Sequence, residues 1–185
     1  MQISRVEASY LTNISTTPPP LLDSPSRANV IIVEIETDNG IIGYGATGGS
    51  LPWSIVEFIN RQVRPFLLGH DPMLTERIWH QMQRQFNQRA LTGVWSQGTS
   101  AVDIALWDIK GKALDQPVWR LLGGAQNPVP AYITFGLPAY SKEQLAEAAK
   151  YWTQEQGQDK LKMVVGVVGE SQAPEEDAER VAAVR

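Results

Sequence analysis

The sequence predicts an α+β fold over its first two thirds, passing into alternating β/α units of the kind that build a parallel sheet or a (β/α)-barrel. Three observations predict it. Residues 29–44 alternate around an Asp38-Asn39-Gly40 turn, a hairpin pattern. Between residues 51 and 124 the apolar spacing is helical. Beyond residue 126, strand and helix patterns succeed each other twice.

The first element is a weak strand pattern over residues 2–11, "QISRVEASYL". "TNISTTPPPLLDSPSR" follows and is too rich in proline for a helix or an inner strand, so it is expected to be a loop. In the hairpin, Val30, Ile32 and Glu34 take one face and Ile31, Val33 and Ile35 the other, and Ile41–Tyr44 returns. "LPWSIVEFINRQVRPFLLG" places a proline in a first helical turn and ends at Gly69. "DPMLTERIWHQMQRQF" repeats the device, with Asp71 expected as N-cap and Pro72 as first helical residue. A third helix is expected over "SAVDIALWDIKGKAL". Its stripe is Val102, Ala105, Leu106, Ile109 and Ala113, Ser100 and Asp103 fit a capping box, and Asp108 with Lys112 forms an i,i+4 pair. "LLGG" closes the helical region at Gly123–Gly124.

The second part opens with an expected strand over Val129–Phe135. Ser141 and Gln144 then form a capping box for a helix carrying Leu145, Ala149 and Trp152, which Gly157 ends. "DKLKMVV" reads as a second strand, and Pro174 opens a helix that is acidic first and basic last, as the helix dipole favours.

Composition narrows the function. Sixteen basic residues against 20 acidic ones leave a formal net charge of −4, with no electrostatic reason to expect nucleic acid or an anionic membrane as partner. The absence of cysteine excludes disulfides and thiolate metal sites. No apolar run approaches the ~20 residues that span a bilayer, and the first residues lack the layout of a secretion signal. A cytoplasmic location is expected. His70 and His80 have no companion at metal-ligand spacing, so both read as surface or helix-packing residues. Trp107 and Trp119 read as packing residues, and the acidic run Glu175–Asp177 as dipole stabilisation at a helix start.

Residues 100–124, "SAVDIALWDIKGKALDQPVWRLLGG", closely resemble the signature of the mandelate racemase/muconate lactonizing enzyme group of the enolase superfamily. Ser100, Ala101, Asp103, Ala105, Leu106, Asp108, Gly111, Lys112, Pro117, Leu121, Leu122 and Gly123 fall where that pattern expects them. The order of elements resembles the family across the whole chain. "ERIWHQM" and "ALWDIKGK" resemble the mandelate racemase and sugar-acid dehydratase branch. One departure is "GYGATGG", which lacks the Gly-Glu pair common there, so the local substrate loop is expected to differ.

The resemblance implies an N-terminal α+β capping domain, a three-strand meander plus helices, over residues 1–125. The first two β/α units of a TIM-like barrel would follow over 126–185, with the barrel incomplete. It implies Mg²⁺-dependent removal of the proton α to a carboxylate, in a hydroxy-acid or sugar-acid dehydratase or racemase acting on a small carboxylic acid as a homo-oligomer. A muconate-type lactonizing enzyme (cycloisomerase) and a dipeptide epimerase share the same features. Three carboxylates from the third, fourth and fifth barrel strands would hold the Mg²⁺. Only 23 residues follow Lys162, so those ligands are expected beyond residue 185 and the chain alone is expected to be inactive. A fragment that acts only by association is the reading from outside enzymology.

The stretch "DKLKMVVG" bears on this directly. Lys160 and Lys162 stand at i and i+2, so a strand aims both to one face. On spacing alone the pair reads as the solvated face of an edge strand, where lysines deter aggregation. The resemblance instead makes Lys162 the base at the catalytic mouth and Lys160 the neighbouring charge that favours its neutral form. A free lysine titrates near ~10.4 and is almost wholly protonated at neutral pH. Two unit charges ~5 Å apart at an effective dielectric of ~20 repel by about 3 kcal/mol, enough to matter. Thr134, at the end of the first barrel strand, is either a hydroxyl for the substrate carboxylate or a threonine chosen for β-propensity. Two loops, Ser15–Ser26 and Ala46–Trp53, match the family's capping loops, with Thr47 and Trp53 as candidate substrate contacts.

Overall fold

A computed structural model describes residues 1–15, 27–48, 51–86, 92–124, 128–136, 140–166 and 174–185. The chain forms two compact units: Met1–Asn13 with Asn29–Ala125, and Ile14–Ala28 with Gln126–Arg185. Among the described residues no helix is long and apolar enough to cross a membrane.

The first unit is built on a three-stranded sheet in the order β1 (Ile3–Ser15), β2 (Arg27–Thr37), β3 (Ile42–Thr47). β1 runs four residues past its expected end. Gln2 meets Asp38 at one end of β1 and Asn13 meets Asn29 at the other, so β1 and β2 are antiparallel. β2 and β3 are antiparallel in the register Ile31↔Thr47 to Glu36↔Ile42. Gly40 takes φ +85° and donates its amide to the Thr37 carbonyl, closing the expected turn. The alternation decides the faces: Ile31, Val33 and Ile35 are buried, whereas Val30, Ile32 and Glu34 are not. Each such side chain contributes about 1.5–3 kcal/mol relative to exposure. The proline-rich loop falls on residues 16–26, outside the described residues.

The first helical run starts at Pro52 in α1 (Pro52–Phe58), widens into a π-helical turn over Ile59–Val63, and tightens again in α2 (Arg64–Leu67). Pro65 has no amide to offer the preceding turn, and a π-helical segment accommodates that loss. The widened turn carries Asn60, whose amide accepts from Ala8 N–H and donates to Ala8 C=O, both at 2.9 Å. One side chain thus satisfies the free edge of β1 as a further strand would. Gly69, at φ +80°, ends the run as expected.

α3 (Thr75–Phe86) begins later than expected. Asp71 does not cap it. Its side chain accepts from Met73 N–H at 3.0 Å and its carbonyl from Leu74 N–H at 3.2 Å, so it shapes a separate turn ahead of the helix. α4 (Gly93–Ala113) corrects the expected helix more strongly. It starts seven residues before Ser100, so Ser100 and Asp103 lie within it and form no capping box. Val102, Ala105, Leu106 and Ile109 are buried, but Ala113 is exposed, and the buried stripe extends back through Gly98 and Trp95 instead. The Asp108–Lys112 pair forms at 2.7 Å. α5 (Val118–Leu121) precedes Gly123 and Gly124, both at positive φ.

Burial, with a smaller contribution from Glu76, raises the Asp103 carboxyl above its ordinary range. A carboxylate whose folded pKa is raised costs stability while it is ionised in the native state. That cost is full above the folded pKa and vanishes below the unfolded value of ~3.9. Asp103→Asn is therefore expected to melt higher than the parent at pH 7, the gap closing as the pH falls towards ~4. Thermal unfolding across that range checks it; a lower melting point at pH 7, or a gap that persists to pH 3, would contradict it.

The second unit pairs two short parallel strands, β4 (Ile133–Phe135) and β5 (Leu161–Met163). Both are shorter than expected, and Val129 stands exposed outside any strand. Between them α6 (Lys142–Lys150) opens with the expected capping box: Ser141 Oγ accepts from Gln144 N–H at 3.2 Å, and Gln144 Oε1 accepts from Ser141 N–H at 2.9 Å. A π-helical turn over Tyr151–Glu155 leads to Gly157. α7 (Pro174–Val184) begins at Pro174 as expected. Arg180, buried, donates to Tyr140 C=O at 2.8 Å and ties α7 to the start of α6.

Candidate active site

The two parallel strands have one covered face and one open face. Ile133, Phe135, Leu161 and Met163 pack with Leu145, Ala148 and Ala149 of α6. Gly136 lets the chain turn beneath them at φ +77°, where a Cβ would meet Met163 Cγ at 2.8 Å and Leu145 Cδ2 at 2.9 Å. With successive side chains on opposite sides, the residues between belong to the open face. Thr134 and Lys162 are direct partners in the register, and both are exposed. The ladder extends by Ile133 N–H donating to Lys160 C=O at 3.0 Å and Val164 N–H to Phe135 C=O at 3.1 Å.

The two lysine ammonium groups take different partners. Lys160 Nζ donates to Asp159 Oδ2 at 3.0 Å, and that contact holds the Asp159 carboxyl below its usual range. Lys162 Nζ lies 5.5 Å from the centroid of the Tyr132 ring, whose face attracts a cation. Lys160 therefore does not present a bare charge to Lys162: an adjacent anion answers it. Tyr132 and Asp159 are neighbours of the two lysines that the sequence reading passed over. Alternation back from Thr134 would have found Tyr132, which stands two residues earlier on the same face. Asp159 carried no such signal, because an acid next to a lysine is common in any solvated loop.

Thr47 and Trp53 lie in the first unit. Thr47 ends β3, half exposed, and its hydroxyl donates to Gly48 C=O at 3.1 Å. Trp53 stands in the first turn of α1 with 67% of its surface exposed, its ring edge-on to Tyr10 at 5.3 Å. Residues 49 and 50 of that expected loop are outside the described residues. Among the described residues no three His, Asp or Glu side chains converge where an ion could be held. A hard divalent cation needs several oxygens meeting at one point, so the described residues by themselves do not fit Mg²⁺.

The residues fall within a recognised sequence family. The family described as mandelate racemase / muconate lactonizing enzyme, N-terminal domain, matches residues 13–123. An arabinonate dehydratase of Saccharolobus solfataricus is 35% identical over 161 residues, covering 84% of this chain and 41% of its own. Among solved structures, the 3,6-anhydro-D-galactonate cycloisomerase from Zobellia galactanivorans is 33% identical with a TM-score of 0.81, covering 100% of this chain and 47% of its own. A racemase from Streptomyces coelicolor with bound magnesium is 30% identical with a TM-score of 0.78, covering 98% of this chain and 50% of its own. The chain thus spans between two fifths and one half of the length of these relatives.

Proposed function

The chain belongs to the mandelate racemase/muconate lactonizing enzyme family, and from that premise we propose that it supplies the capping domain, over 1–125, and the first two β/α units of the barrel, over 126–185, of a sugar-acid dehydratase. The observation that carries the reading is the pairing of Lys162 with Thr134 on the open face of a parallel strand pair, beside Tyr132. TIM-barrel enzymes build their sites from residues at the carboxyl ends of such strands. Names of relatives support the substrate class: an arabinonate dehydratase among the curated proteins and an anhydro-galactonate cycloisomerase among the structures.

In this reading Lys162, as the neutral amine, takes the proton α to the substrate carboxylate. The β-hydroxyl then leaves as water on taking up a proton, from the Lys162 ammonium just formed or from solvent, and the enol product tautomerises to a 2-keto-3-deoxy acid. Lys160 is the positive neighbour, moderated by Asp159. Thr134 donates its hydroxyl to the substrate carboxylate, and Tyr132 holds the Lys162 side chain across the open face. Thr47 and Trp53 are the candidate substrate contacts of the first unit, the indole offering an apolar surface to sugar C–H groups. The Mg²⁺ implied by the family, and present in the Streptomyces coelicolor racemase, would take its ligands from residues other than those described in this chain. The 185 residues alone would then be inactive. A cytoplasmic homo-oligomer is part of the same reading.

A test uses protein of the relatives' full length, incubated with five- and six-carbon aldonic acids in D₂O with Mg²⁺ and followed by NMR. Loss of water to a 2-keto acid is the expected result. Isomerisation of 3,6-anhydro-D-galactonate, tried alongside, without loss of water would favour the cycloisomerase, and deuterium at the α-carbon of recovered substrate alone would favour the racemase. A folded protein that neither exchanges nor consumes any of these acids would overturn the reading.

A further inference from the structure

The outer edge of β3 is occupied by two side chains of the signature helix. Tyr44 N–H donates to Asp108 Oδ2 at 2.8 Å. Lys112 Nζ donates to Ile42 C=O at 2.7 Å and to the same Asp108 Oδ2 at 2.7 Å, and lies 5.0 Å from the Tyr44 ring centroid. The carboxylate and the ammonium therefore take the free amide and the free carbonyl two residues apart on one strand edge, as a neighbouring strand would. Below them, Gly43 and Gly45 let the backbone of α4 approach so closely that a Cβ would lie 2.2 Å from Ala105 O and 1.8 Å from Ala101 O. β2 holds the remaining edge, pairing Glu34 with Tyr44 and Ile31 with Thr47.

A six-residue strand with two interior glycines has little stiffness of its own, because glycine loses most conformational entropy on ordering and offers no side chain to pack. β2 holds the inner edge through to Thr47, the last residue, so what is left to fix is the outer edge. We propose that Asp108 and Lys112 are positioning residues that act through β3: they clamp its outer edge and so set the placement of Thr47. The proposal rests on the reading of Thr47 as a substrate contact. It gives two charged positions of the family signature a task in substrate binding that neither performs by touching substrate.

The test uses full-length enzyme, with Asp108→Ala, Asp108→Asn and Lys112→Met. Removing a charged acceptor is expected to speed exchange of the Tyr44 and Thr47 amide hydrogens by roughly 10- to 100-fold in Asp108→Ala, with Val33 in β2 unchanged. The Michaelis constant should rise about tenfold while kcat moves less than about twofold, the mark of lost binding rather than lost chemistry. Asparagine keeps an acceptor for Tyr44 N–H but loses the charge, so Asp108→Asn should recover part of both effects. Lys112→Met keeps helix propensity and should reproduce the pattern more weakly, which guards against a folding defect in the alanine variant. Unchanged exchange at Tyr44 would overturn the clamp. Faster exchange at Tyr44 with an unchanged Michaelis constant would overturn its link to substrate binding through Thr47. If the wild type turns over no acid, the functional reading has failed by itself, and exchange at Thr47 alone decides whether the clamp positions it.

Discussion

A full-length protein carrying Lys162→Ala is expected to lose exchange of the substrate α-proton with solvent while keeping its fold. Lys162 belongs to the open face of a strand whose other face is packed, so truncation removes an exposed side chain and opens no cavity. Its loss should change stability by no more than about 0.5 kcal/mol, as for other surface substitutions. The effect on chemistry should be far larger, since a positioned base contributes about 10²–10⁴-fold in rate. Isotope exchange followed by NMR in D₂O, alongside a thermal melt, separates the two. A variant that melts like the parent and exchanges at the parental rate would remove Lys162 from the role of base.

The largest effect on stability is expected at Gly45. An alanine there would set its Cβ 1.8 Å from Ala101 O and 2.8 Å from Ala101 C, both helix backbone atoms that no rotamer change can move. Either α4 shifts outward and gives up the packing of Ala101, Val102 and Ala105, or β3 leaves its register with β2. Overpacking of this kind costs about 1–3 kcal/mol and occasionally more, and a clash with backbone belongs at the upper end. For a chain of this size about 3 kcal/mol corresponds to a melting point lowered by roughly 6–12 °C. Gly48→Ala is the control, since nothing lies within 4 Å of a Cβ built there. Urea unfolding of both variants checks the contrast, and equal midpoints would mean that the close approach of α4 to β3 does not constrain the fold.

The hairpin around Asp38-Asn39-Gly40 and the capping box at Ser141 were legible in sequence because each is a local device, its partners within a few residues. The early start of α4 was not. Residues 93–100, "GVWSQGTS", hold two glycines and several β-branched or small polar residues of modest helix propensity. What makes them helical is contact: Trp95, Gly98 and Thr99 are buried, and Gly98 lies against Phe58 so closely that a Cβ would meet its ring at 2.9 Å. The same holds for Asp71, whose position ahead of a proline reads as a cap until the turn it actually closes is seen.

At the site, residue spacing by itself predicts that Lys160 and Lys162 share a face; in the structure Lys162 lies in β5 and Lys160 stands one residue before it, outside the strand. The signature over residues 100–124 determined the family, because a match at many positions is specific without any coordinate. Tertiary structure alone decided which face is covered, that Thr134 is the direct partner of Lys162, and that the two ammonium groups turn to Asp159 and Tyr132. It also decided that Asp108 and Lys112, beyond being a helix pair, occupy the edge of a strand 64 and 70 positions earlier in the chain. The physical reason is the range of the interaction. Period, turn and cap are set by dihedral preferences of near neighbours, whereas the partner of an exposed edge or a charged side chain depends on which distant segment packing brings within hydrogen-bonding distance.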